Sequence, residues 1–92
     1  MLTESELTEG LAALDGWRRE GAAIVKQFTF ADFRAAMWFL NCAAAVADAM
    51  DHHPEWTNVY SRVTVRLTTH DAGGVTEKDL VLAEAMDSLA NG

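Results

Sequence analysis

The chain holds three histidines: His52 and His53 side by side, and His70 further on. Imidazole changes charge nearest neutral pH, so an adjacent pair with a third at a distance suits the giving and taking of protons. Carboxylates flank them. Asp48 lies four residues before His52, and Asp79 nine after His70. Pro54 biases His53 away from helical dihedrals, so His53 belongs to an extended segment and His52 to the end of a preceding helix. There the helix macrodipole favours a cation, and a carboxylate one turn back lies on the same face. Asp48 is therefore expected to orient His52 as a general acid. The chain has no H-x-x-x-H or C-x-x-C pair, so a site without metal is expected.

Each of these residues also has a plainer reading. His52 could simply cap a helix, His53 be ordered by Pro54 at the surface, and His70 end a solvated strand. Asp79 is the third residue after Thr76, where a carboxylate serves as a capping partner. Trp56 and Tyr60 read equally as core aromatics. Trp17 and Trp38 read as core, because nothing polar clusters with them in sequence. Cys42 sits in an apolar run and reads as an inert small hydrophobe, not a nucleophile paired with histidine. Gly73-Gly74 is too little glycine for a phosphate cradle.

Ninety-two residues, half of them hydrophobic, make one domain over 1–92. A net charge of −7 argues against nucleic acid or an anionic membrane as partner. One cysteine and no signal-peptide pattern point to the cytoplasm.

The elements that must position the histidines follow from periodicity. Thr3 to Leu14 reads as a helix, with Thr3 and Glu6 as a capping box and Leu7, Leu11 and Leu14 as its stripe. Asp15-Gly16 ends it. Trp17–Glu20 and Ala23–Phe28 read as a hairpin turning at Gly21. Phe30 to Met50 or Asp51 reads as the central helix, with Thr29 as N-cap. From Ala35 to Ala47 its only polar side chain is Asn41. The run is too short to span a bilayer, which takes about 20 residues, and too apolar for one buried face. It implies self-association through this helix. Asn58 to His70 reads as strand, with Tyr60 near a bend, Val63, Val65 and Leu67 facing inward, and His70 on the side of Arg66 and Thr68. Asp71–Gly74 turns into a last helix, Thr76–Asn91. The order α-β-β-α-β-β-α describes an α+β fold, a four-stranded antiparallel sheet with three helices packed on one face.

Asp48, His52, His53, Pro54, Tyr60, His70 and Asp79 stand at spacings that resemble the pterin-4a-carbinolamine dehydratase family over most of the chain. The resemblance implies the same order of elements and assembly as a homodimer or homotetramer. It implies loss of water from a 4a-hydroxytetrahydropterin to give the quinonoid dihydropterin, without cofactor or metal, in tetrahydrobiopterin recycling. A pterin would then be the small-molecule ligand, with an aromatic amino acid hydroxylase as the pathway partner. His52 and His70 would be the proton-transfer pair, with Asp48 in support where many relatives have Glu. His53 would bind substrate. Trp56 would wall the flat ring, Thr68 and Thr69 would supply hydrogen bonds beside His70, and Asp79 would also bind substrate. The alternative implied by the same resemblance is a non-catalytic dimerisation or coactivator module.

Overall fold

A computed structural model of the protein describes all 92 residues. Helix α1 (Glu4–Ala12) opens on the expected capping box: Glu6 N–H donates to Thr3 Oγ1 at 3.1 Å, and Thr3 N–H to Glu6 Oε1 at 2.9 Å. The Thr3 backbone N–H, and then its hydroxyl, hold the Glu6 carboxyl below its usual range. Strands β1 (Arg18–Glu20) and β2 (Ala23–Thr29) form the first hairpin, with Gly21 at φ 62 in its turn. Helix α2 (Phe33–Ala49) starts later than expected. Its N-cap is Asp32, not Thr29, because Asp32 Oδ1 accepts from Ala35 N–H at 2.9 Å while Thr29 stays paired in β2. Strands β3 (Glu55–Val59) and β4 (Arg62–Leu67) form a second hairpin, and helix α3 (Glu77–Asn91) closes the chain. The strands lie in the order β1-β2-β4-β3, all antiparallel.

Inward-facing Val63, Val65 and Leu67 of β4 pair with Phe28, Lys26 and Ile24 of β2, on the face the helices cover. Phe39, Ala43, Leu82 and Met86 pack onto this face and are fully buried. The other face is exposed at Gln27, Thr29, Thr57 and Thr64, although Val25 is buried on it. Tyr60 is no core aromatic: it takes φ 52 in the β3–β4 turn and is exposed. Gly10 brings α1 close to α3, since a Cβ there would fall 2.6 Å from Leu80 Cδ1.

Lys26 stands on the covered face, where an ammonium needs a partner. Its Nζ lies 2.8 Å from Asp87 Oδ1, donates to the Asp15 carbonyl at 2.6 Å and sits 4.7 Å from the Phe28 ring centroid. Trp17 Nε1 donates to the same Asp87 oxygen at 2.9 Å, so buried Trp17 does have polar company, drawn from distant parts of the chain. Asp87→Ala leaves this half-hidden ammonium unpaired. We expect a loss of about 2 kcal/mol, less than for a fully buried pair because both groups keep some solvent. Denaturant unfolding checks this; Asp87→Asn, which keeps an acceptor, should lose less.

Trp38 also departs from expectation. Helix α2 buries Ala36, Phe39, Leu40, Ala43 and Ala47 against the sheet and α3, and this leaves Trp38 on the opposite face, 53% exposed, with Ala44 and Ala45 exposed nearby. Cys42 is partly exposed on the same helix. No helix is long and apolar enough to cross a membrane.

Candidate active site

The site begins where α2 stops. Met50 is the C-cap and Asp51 turns into the left-handed region at φ 51. His52 N–H then donates to the Ala47 carbonyl at 3.0 Å, and Asp51 N–H to the Asp48 carbonyl at 3.1 Å. These two bonds, six-to-one and five-to-two, close the helix in a Schellman motif with Asp51 at its left-handed position. The chain thus leaves the helical path before His52. Asp48 and His52 are no longer one turn apart on one face, and the expected Asp48–His52 pair does not form.

The carboxylate that meets His52 is Asp79. His52 Nε2 and Asp79 Oδ1 lie 2.5 Å apart, with His52 buried and Asp79 fully so. Asp79 Oδ2 accepts from Thr69 Oγ1 at 2.8 Å and from Thr76 N–H at 2.9 Å. Thr69 and Thr76 hydroxyls are 2.8 Å apart. Asp79 is thus the capping partner of α3 and the anchor of His52 at once. The network joins the ends of α2, β4 and α3. Because Nε2 donates to a carboxylate, Nδ1 is the ring nitrogen left without a protein partner.

Asp48 pairs instead with His53, Oδ1 to Nε2 at 3.2 Å, in an exposed contact. Strand β4 ends at Leu67, so His70 is not a strand residue. It opens a short 3-10 turn (His70–Ala72) that Gly73 ends at φ 77, and it is exposed. Thr68 Oγ1 donates to the Ala22 carbonyl at 2.7 Å, tying this segment to the first hairpin.

His52, His53, His70, Thr68 and Thr69 line one cleft of about 300 Å³, with Asp51, Asp71 and Lys78 completing its wall. No hydrophobic side chain lines it. Trp56 lies outside: it faces Val65 on the covered side of the sheet and borders a separate depression with Ala44, Ala45, Asp48 and Pro54. His53 borders both hollows. No group of three or more His, Cys, Asp and Glu side chains is arranged to hold a metal ion.

Neither spacing nor motif marks Asp51, Asp71 or Lys78 as lining residues, although Asp51 heads the histidine stretch. Two of them adjoin the histidines. The third, Lys78, is a cation in the first turn of a helix, where sequences place acids. Asp51 also holds a position that glycine fills better. Asp51→Gly is expected to stabilise the fold by about 1 kcal/mol, raising Tm by roughly 4–8 °C in a thermal melt.

The sequence profile of the family described as pterin 4 alpha carbinolamine dehydratase matches residues 1–89. A protein of Solibacter usitatus, provisionally named pterin-4-alpha-carbinolamine dehydratase, is 50% identical over 91 residues, covering 99% of this chain and 96% of its own. A Brucella ovis protein of the same provisional name is 50% identical over 91 residues, covering 97% of this chain and 94% of its own. A Brucella melitensis crystal structure, described as a transcriptional coactivator/pterin dehydratase, superposes with a TM-score of 0.95 at 49% identity over 97% of both chains. A pterin dehydratase-like RuBisCO assembly factor of the alpha-carboxysome shares the fold, with a TM-score of 0.73 at 24% identity over 84% of this chain and 92% of its own. By profile, by full-length identity and by fold, the chain belongs to the pterin-4a-carbinolamine dehydratase family.

Proposed function

We propose that the protein dehydrates a 4a-hydroxytetrahydropterin to the quinonoid dihydropterin by proton transfer between its histidines and the ligand. The observation that carries this reading is His52: its Nε2 is held by buried Asp79 while the ring borders a polar cleft shared with His53 and His70. A neutral His52 that donates from Nε2 offers the Nδ1 lone pair, and a protonated one offers Nδ1–H. In the reaction the N5–H bond breaks, a C4a=N5 double bond forms, and the C4a–O bond breaks. Hydroxide is a poor leaving group, so the oxygen leaves as water with a proton from the protein. His52 takes the N5 proton and His70 supplies the one that leaves with oxygen. The atoms balance without oxidant, reductant or cofactor. His53, backed by Asp48, holds the ligand, and the hydroxyl of Thr68 lies beside it. Asp79, buried behind the cleft, acts through His52, and Thr69 holds Asp79 while also lining the cleft. Trp56 reaches the ligand only past His53.

This activity would serve tetrahydrobiopterin recycling beside an aromatic amino acid hydroxylase in the cytoplasm. The test is turnover of a synthetic 4a-hydroxytetrahydropterin by the pure protein, with spontaneous dehydration subtracted. No rate above that background would sink the reading. A second reading, a coactivator-type interaction module, draws on the exposed Phe33 and Trp38 of α2 and on the coactivator description of the Brucella melitensis relative. A folded, inactive protein that still self-associates would favour it.

A further inference from the structure

Lys78 is the one permanently cationic side chain lining the histidine cleft. It sits in the first turn of α3, one residue after Glu77, where the helix macrodipole opposes a cation. It has no carboxylate within 4 Å, although Asp51 and Asp71 line the same cleft and Glu77 is its neighbour. The His52–Asp79 network is satisfied without it, since both Asp79 oxygens already have partners. The charge thus works against its own helix, supports no other part of the fold, and faces the space where a ligand binds.

We propose that Lys78 is a specificity residue that binds an electron-rich oxygen of the ligand. The inference rests on the reading of the cleft as a pterin site. Two groups on such a ligand carry that chemistry: the ring carbonyl, and an anionic substituent on the side chain. Either would meet the ammonium from the α3 wall while the histidines meet the reacting atoms from the α2 and β4 ends. The remaining permanent charges of the cleft, Asp51 and Asp71, are negative and cannot take this role.

The experiment is a direct binding titration, followed by ligand fluorescence, of pterin and of 6-carboxypterin against wild type, Lys78→Met and Lys78→Arg. Loss of a charged hydrogen bond should weaken binding by roughly tenfold or more in Lys78→Met, with most of it restored in Lys78→Arg. Equal weakening for both ligands assigns Lys78 to the ring carbonyl. Weakening confined to 6-carboxypterin assigns it to the anionic substituent. Lys78→Met should also melt no lower than wild type, because it removes a cation from a helix start; a merely structural lysine would show a lower Tm and unchanged binding. Unchanged binding of both ligands by a folded Lys78→Met variant overturns the proposal. If wild type binds neither ligand, the pterin reading itself falls and takes this assignment with it, a result distinct from the loss of Lys78 alone.

Discussion

His52→Ala is expected to lose both turnover and stability, and the two losses can be separated. The ring is the only group that meets Asp79 Oδ1, and Asp79 is fully buried. Removing one partner of a buried pair typically costs about 3–5 kcal/mol, because the other charge is left without compensation. The low end applies here, since Thr69 and Thr76 still serve the second oxygen. About 3 kcal/mol lowers Tm by more than roughly 10 °C in a domain of this size. The sequence alone implied no such penalty, because it paired His52 with exposed Asp48. Loss of an acid–base group should in addition lower kcat by about 10²–10⁴. His52→Gln separates the effects: its amide can still donate to Asp79, so Tm should recover in large part while kcat does not. Parallel recovery of both would reduce His52 to a structural residue.

His70→Ala is the counterpart. The His70 side chain is exposed and makes no hydrogen bond within the protein, while its backbone carbonyl keeps its bond from Gly73 N–H in the variant, so its loss should leave the melt almost unchanged. If it supplies the proton that leaves with water, kcat falls within the same range. His53→Ala should act on KM, as loss of binding common to ground and transition states does. Asp48→Asn should be mild, because an exposed pair contributes little.

The order of elements was legible from the sequence because each carried its own local signal. The Thr3–Glu6 capping box, the alternation through Val63, Val65 and Leu67, and the Thr76 start of α3 all stand as read. Errors arose where a contact joins residues far apart in the chain. Helical spacing pairs Asp48 with His52, and that spacing fails because Asp51 turns left-handed one residue before His52. Position alone offers Asp79 as a cap or as a site residue; its two oxygens let it be both, Oδ2 capping α3 and Oδ1 anchoring His52. Trp17 and Lys26 find Asp87 only once α3 lies across β2. The lack of polar neighbours in sequence suggests core for Trp38, but it does not say which side of α2 the ring occupies, and Tyr60 lies at the bend its position predicts, exposed instead of in the core.

Self-association through α2 is the second expected result of large effect. One side of this helix packs on the core, yet apolar surface remains outside it: Phe33 and Trp38 are each about half exposed and Ala44 and Ala45 are exposed, with Arg34 and Asn41 the polar residues among them. Burying this stripe against a second copy removes it from water, at roughly 25 cal/mol per Å² of apolar surface, and alanines allow close approach of the helices. Sedimentation at micromolar concentration should therefore find a dimer or tetramer. Trp38→Asp places an unpaired charge in that contact and should weaken assembly by at least roughly a hundredfold. Because Trp38 packs little within its own chain, the variant should remain folded by circular dichroism. Val81→Asp, on the exposed face of α3, serves as the control and should leave assembly unchanged. A wild-type protein that sediments as a monomer, or a Trp38→Asp variant that stays assembled, would place the contact elsewhere and leave the apolar face of α2 to a different partner.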